Sequence, residues 1–296
     1  FAVKSKLNLA NLNKEDFQKF LDSFDHVFSD CDGVIWNSTA LPRTGEFFKL
    51  MKSHGKTVNY VSNNSLRNKE NYNEIFKEAG IDDGFENLII PSIAIAEYLK
   101  SVNFKKTVYS VSCPETTRIL RLNGFECKEG PEVVPQYNED HYQYSEDDES
   151  IGAVVYDSDF RVNLPKLNKS IAYLRRPEVL FLAGATDKKA YNGDAVMLGT
   201  GVFTDLVAKH VKRSPILLGK PGKTFGELAM KKAGVKDPSR VLFIGDMLEQ
   251  DVGLGKATGF KTMLVLSHVS KGIMLAQDTL IPDYYAESLA SVVPLL

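Results

Sequence analysis

Short apolar runs rich in β-branched and aromatic residues alternate with helix-period segments along most of this chain. That alternation constrains the fold more than any other feature, because parallel strands cannot be joined by a tight turn and need a crossover between them, usually a helix. Strands are predicted over residues 25–30, 57–62, 179–183, 216–218, 241–245 and 261–266. Helices are predicted over 44–54, stopped by Gly55, over 67–79, stopped by Gly80, over 92–102, and over 225–233, ending near Gly234. The middle is less regular: strands at 107–112 and 151–156, a helix at 164–175, and between the strands a polar stretch, 136–150, with six carboxylates, which is expected to be a solvated loop. The order predicts an α/β protein with a doubly wound parallel sheet and helices on both faces.

In such sheets ligands collect at the carboxyl ends of the strands. Four predicted strands end in polar residues suited to one chemistry: Asp30-Cys31-Asp32-Gly33, then Ser62-Asn63-Asn64, then Gly219-Lys220-Pro221, then Gly245-Asp246 with Asp251 five residues on. Each alone reads equally well as a helix cap or a surface turn; in this order they describe phosphoryl transfer. A phosphate monoester carries about two negative charges, so a carboxylate needs help to approach it. A hard cation such as Mg2+ binds carboxylate and carbonyl oxygens and offsets the repulsion. Asp30 fits a nucleophile that forms a mixed anhydride. Asp32 fits the acid that protonates the leaving oxygen and the base that later activates water, provided Gly33 lets the chain turn sharply. Ser62 and nearby amides fit donors to phosphate, Lys220 a fixed cation, and Asp246 a metal ligand. Asp251 could orient metal-bound water or the lysine. Asn64 and Ser65 divide between turn-making and support of the site. Trp36 and His268 read mainly as packing or structural residues that could also face the site, and the Cys31 side chain is expected to point into the core.

The four segments, extended as Asp30-Cys31-Asp32-Gly33-Val34-Ile35-Trp36, Val61-Ser62-Asn63-Asn64-Ser65, Gly219-Lys220-Pro221 and Gly245-Asp246-Met247-Leu248-Glu249-Gln250-Asp251, resemble the motifs of the haloacid-dehalogenase superfamily. The branch they resemble holds 4-nitrophenylphosphatase, phosphoglycolate phosphatase and pyridoxal phosphatase. The resemblance implies a Rossmann-like core with an inserted α/β cap, placed as core 1–105, cap 106–212 and core 213–296. It implies Asp30 as nucleophile and Asp32 as acid/base. Mg2+ would be held by the Asp30 and Asp246 carboxylates and the Asp32 carbonyl, and phosphate by Ser62, Asn63 and Lys220. It further implies a small phosphate ester as substrate and a homodimer formed through the cap. Two segments depart from the family pattern: Ala183-Gly184-Ala185-Thr186-Asp187 lacks the usual Asn, and Met247, Glu249 and Gln250 replace typical residues of the fourth motif. A phosphotransferase or mutase using the same intermediate, and a non-enzymatic phospholigand-binding protein, are the alternatives.

Other chemistries fail on spacing. Cys113 and Arg118 have four residues between them where a cysteine-dependent phosphatase needs five. A P-loop would need Gly at Ser214 and a hydroxyl at Pro221, and Gly199-Thr200-Gly201 has Thr204 where a dinucleotide fingerprint needs its last Gly. With 36 basic against 38 acidic residues, the chain gives no reason to expect nucleic acid or an anionic membrane as partner. No apolar run approaches the ~20 residues that span a bilayer. The opening stretch is broken by charges and Asn, so no secretory signal is expected. Three widely spaced cysteines read as cytoplasmic thiols.

Overall fold

A computed structural model describes residues 7–192 and 195–296; residues 1–6 of the opening stretch lie outside these. The chain divides into two compact units. One holds the chain up to Ser62, Arg67–Ile89 and Lys220–Leu296; the other holds Asn63–Leu66 and Ile90–Gly219.

The first unit is built on a seven-stranded sheet, in the order Leu7–Asn8, Tyr284–Ala286, Lys261–Val265, Val241–Gly245, His26–Ser29, Thr57–Val61, Leu88–Ile89. All six pairings are parallel. From His26–Ser29 the chain steps outward to Thr57–Val61 and Leu88–Ile89, then returns on the opposite side at Val241–Gly245. The boundary between His26–Ser29 and Val241–Gly245 is therefore the point where the winding reverses, and a crevice is expected outside the carboxyl ends of these two strands. Their buried positions are filled by Val27, Phe28, Leu242, Phe243 and Ile244, each at most 1% exposed. Strands buried on both faces read as continuous apolar runs, which is why these were visible in sequence.

Helix boundaries follow their caps. The helix predicted from residue 67 begins at Lys69, because Asn68 is its N-cap and its side chain accepts from the Asn71 amide at 2.8 Å. Arg67 thus stays outside the helix. A helix that the sequence did not flag, Lys14–Asp22, is capped by Asn13 and buries Phe17, Phe20 and Leu21.

The second unit carries a five-stranded sheet, also all parallel, ordered Ile216–Leu217, Leu180–Ala183, Ile151–Asp157, Thr107–Ser112, Cys127–Glu129. Its core gathers Tyr109, Val154, Tyr156, Leu167, Tyr173, Phe181 and Val207. An antiparallel pair, Lys189–Asn192 with Ala195–Leu198, stands apart from that sheet. The stretch expected to be a solvated loop has mostly exposed side chains among its described residues and takes a 3-10 conformation over Asn138–Ser145. Ion pairs tie its end down: Asp147 with Arg176 at 2.9 Å and Asp148 with Lys128 at 2.7 Å. The helix Pro91–Ser101 starts on a proline at its first turn, where the missing N–H costs nothing. Among the described residues no helix is long and apolar enough to cross a membrane.

Candidate active site

Asp30 leaves the end of His26–Ser29, and its amide donates to the Ile244 carbonyl of the neighbouring strand at 2.8 Å. The side chain is buried. Its Oδ1 accepts from the Cys31 amide at 2.7 Å and faces Lys220 Nζ at 2.7 Å. Lys220 is itself 3% exposed and reaches Asp251 Oδ1 at the same distance, 2.7 Å. One buried ammonium thus bridges two buried carboxylates. Burial works against the charge on Lys220, but Asp251 and Asp30 outweigh it and raise the lysine above its usual range, so it stays protonated. Burial drives Asp30 the other way, well above the ordinary carboxylate range; Lys220 opposes the shift and Asp251 and Asp246 add to it.

Asp251 has both oxygens engaged. Oδ2 accepts from the amides of Asp246 at 3.0 Å and Met247 at 2.8 Å, while Oδ1 holds the lysine. It caps the turn after Val241–Gly245 and is hydrogen-bonded to Lys220. Gly245 is required here because a Cβ would run into the Asp251 side chain.

Asp246 is buried and its two oxygens differ. Oδ2 meets His268 Nδ1 and lies 3.4 Å from Ser267 Oγ. Oδ1 is buried without a hydrogen-bond partner. Oxygens of Asp30, Asp246 and Asp251 lie within 4.8 Å of one another. A buried carboxylate oxygen left unpaired beside two other carboxylates costs free energy unless a cation joins them. The all-oxygen donor set suits a hard divalent ion, so the residues present fit Mg2+.

Asp32 is more open, its side chain 40% exposed. Its Oδ1 accepts from Arg67 Nη1 at 2.8 Å and Trp36 Nε1 at 3.1 Å, and Ser62 Oγ lies 3.4 Å from Oδ2. Gly33 makes the turn at φ +84°, where a Cβ would collide with Asp246 and His268. Ser62 is buried at the end of Thr57–Val61. Asn63 and Asn64 fall in the 63–66 segment grouped with the second unit. There Asn63 Nδ2 donates to Asp187 Oδ2 at 3.0 Å, and Asn64 Oδ1 accepts from the Leu66 amide at 3.0 Å. The structure therefore brings Asp30, Asp246, Asp251 and Lys220 together, with Gly33 against Asp246 and with Asp32 and Ser62 beside each other.

Trp36 packs in the core and also touches Asp32. It is fully buried against Phe76, with ring centroids 4.9 Å apart, and its indole N–H holds Asp32. Cys31 is fully buried, as expected, and burial pushes its thiol well up. Sequence reasoning missed Arg67 and Ser267, and it gave His268 mainly a structural role. Arg67 follows Ser62 by five residues, just ahead of a helix cap, and that position was the available signal.

At its point of reversal the parallel sheet carries a buried carboxylate–ammonium–carboxylate bridge and one unpartnered carboxylate oxygen, a donor set suited to phosphoryl transfer beside a hard cation. Known proteins agree. Residues 27–126 match the haloacid dehalogenase-like hydrolase model and residues 217–292 match a second HAD-hydrolase-like model. Phosphoglycolate phosphatase 2 of Arabidopsis thaliana is 32% identical over 96% of this chain and 97% of its own. The 4-nitrophenylphosphatase of Schizosaccharomyces pombe is 28% identical over 94% and 96%. Among solved structures, the p-nitrophenyl phosphatase of Archaeoglobus fulgidus superposes with a TM-score of 0.78 at 26% identity, covering 93% of this chain and 100% of the other. The chain belongs to the haloacid dehalogenase-like hydrolases, and it is an enzyme, a phosphoric monoester hydrolase. The non-enzymatic reading falls away.

Proposed function

We propose that the protein is a Mg2+-dependent phosphatase of small phosphate monoesters that works through an aspartyl-phosphate at Asp30. The observation that carries this reading is the buried Asp30–Lys220–Asp251 bridge beside the unpartnered Asp246 oxygen. Mg2+, when bound by the Asp30 and Asp246 carboxylates and the Asp32 carbonyl, supplies charge that keeps Asp30 ionised against its burial and lets it meet a dianionic ester.

The side chains do the rest. An Asp30 oxygen attacks phosphorus, and the bond from phosphorus to the ester oxygen breaks. Asp32 gives that oxygen its proton, then takes a proton from the water that attacks the same phosphorus, releasing phosphate and restoring Asp30. Lys220 fixes Asp30 and offsets charge on the equatorial oxygens, with Ser62, Asn63 and backbone amides as further donors. Gly33, Asn64 and Asp251 hold the turns that carry these groups.

For substrate, the named activities of the relatives make phosphoglycolate and 4-nitrophenyl phosphate the first esters to try and glycerol 3-phosphate next, with pyridoxal phosphate added from the resemblance of the motifs. Exposed Val196, Met197, Leu198 and Leu206 on the inserted unit support the homodimer expected through it. The three free thiols suit a reducing compartment such as the cytoplasm. The test is phosphate release from this panel with Mg2+ and with EDTA. Turnover that survives chelation, or that persists in Asp30→Asn, would refute the mechanism.

A further inference from the structure

Asp246 and the turn at Gly33 share a tether outside the residues treated so far as machinery. Ser267 follows the strand Lys261–Val265 by two residues. Its Oγ donates to the Gly33 carbonyl at 2.7 Å and lies 3.4 Å from Asp246 Oδ2. His268 Nδ1 meets the same Asp246 oxygen, with the ring partly exposed. Thus one loop grips the first motif through a backbone carbonyl and the fourth motif through a carboxylate. It occupies only Oδ2 and leaves the buried Oδ1 unpartnered. The cluster of mutually close acidic groups comprises Asp30, Asp246 and Asp251 without His268, so the imidazole stands behind the carboxylate and not among the ligands.

We propose that Ser267 and His268 are positioning residues for the metal: they turn the Asp246 carboxylate so that Oδ1 is its ligand atom, and they pin the Asp32–Gly33 turn that presents the carbonyl ligand. The inference rests on the Mg2+ reading above. A carboxylate on a single-bond rotor can present either oxygen or both, and donors held on one of them select a single arrangement in advance of binding. Losing such outer partners characteristically weakens metal binding about 10–100-fold. Ser267 couples two ligands and His268 one, so Ser267 carries the larger share.

The test measures Mg2+ binding to the metal-stripped full-length protein by titration calorimetry, with thermal melting in EDTA as a check of folding. Ser267→Ala and His268→Ala should each raise the Mg2+ dissociation constant about 10–100-fold. Their effect on turnover should fall on the Mg2+ concentration for half-maximal activity more than on kcat at saturating Mg2+. Ser267→Thr retains the hydroxyl, and His268→Asn keeps a donor near the Nδ1 position, so both should recover most of the affinity. These milder variants also report if an alanine variant does not fold. Dissociation constants within twofold of wild type in both alanine variants would overturn the proposal. So would an equal loss in the alanine and conservative variants. A His268→Ala protein that binds Mg2+ normally but loses only Mn2+ or Zn2+ would make His268 a direct ligand and likewise overturn it. Wild-type protein that binds no Mg2+ at all would instead sink the functional reading on which it stands.

Discussion

Both units of this protein bury carboxylates at the ends of parallel strands, and they treat them in opposite ways. In the second unit, Asp157 has Thr116 Oγ1 on one oxygen at 2.7 Å and the Ala185 amide on the other at 2.9 Å. Asp159 has the Arg161 amide on one at 2.8 Å and the buried Lys166 ammonium on the other at 2.9 Å. All four oxygens are matched by groups nearby in the same unit. In the first unit, Asp246 keeps one buried oxygen unmatched and Lys220 is shared between two carboxylates. Closed sets hold a fold together. The open set is incomplete without a cation, and that incompleteness separates a site from a buried polar network.

The sharpest way to break this contrast is Asp30→Asn. It should lower turnover of 4-nitrophenyl phosphate at least ~10³-fold, since no second nucleophile stands in its place. Because the substitution removes a charge that burial disfavours, melting temperature should hold or rise; a variant both inactive and unfolded would show Asp30 to be structural. Asp32→Asn comes next. Phosphate should still bind, while turnover falls ~10²–10⁴-fold, less for 4-nitrophenyl phosphate than for an alkyl ester whose oxygen needs the proton. Equal losses for both leaving groups would remove Asp32 from the acid role.

Lys220→Met strands two carboxylates at once. The expected cost is about 3–5 kcal/mol in chemical denaturation, most of it from the uncompensated charges left behind. In the second unit, Asp157→Leu should cost about 2–4 kcal/mol by leaving the Thr116 hydroxyl and Ala185 amide unpaired, whereas Asp157→Asn, which can satisfy both, should stay within about 1 kcal/mol. Comparable damage from Asn and Leu would mean that its charge matters, contrary to a set held by hydrogen-bond matching alone. The smallest effect lies at the surface. The Lys128 ammonium, with Ser150, holds Asp148 down at about 2. A carboxyl depressed on folding contributes stability above its ordinary range and loses it as pH falls towards 2. Lys128→Met should therefore melt slightly below wild type near neutrality, with the two curves converging in acid; a gap that widens in acid would contradict the assignment.

Much of the first unit could be read in the sequence because its physics is local. Strands such as Val241–Gly245 are apolar on both faces, and glycine stops such as Gly80 have positive φ. Asp30, Asp32 and Asp246 were legible as polar residues at strand ends, where a parallel sheet puts its ligands; Lys220 was legible in the same way, although the strand ahead of it, Ile216–Leu217, pairs in the five-stranded sheet of the second unit. What was not legible depends on long-range placement. Ser267 is an ordinary residue, and His268 only one that could face the site, until the sheet order sets the end of Lys261–Val265 beside Val241–Gly245 and brings them within reach of Gly33 and Asp246, more than 200 residues apart for Ser267 and Gly33. Arg67 was absorbed into a helix because its apolar period starts early, while the Asn68 cap excludes it and frees it for Asp32. The stretch 136–150 was legible as solvent-facing from its acidic composition; its 3-10 conformation and its ties to Lys128 and Arg176 were not, because those partners lie outside the stretch.

The central claim is that Asp30 becomes covalently phosphorylated. It is tested most directly by mixing the enzyme with Mg2+ and 4-nitrophenyl phosphate, quenching in acid within a turnover, and reducing with borohydride, which converts an acyl phosphate at an aspartate to homoserine. Peptide mass spectrometry should find homoserine at position 30, dependent on both Mg2+ and substrate and missing from Asp30→Asn. Full turnover with no modified residue 30, or with the phosphate on another side chain, would contradict the account.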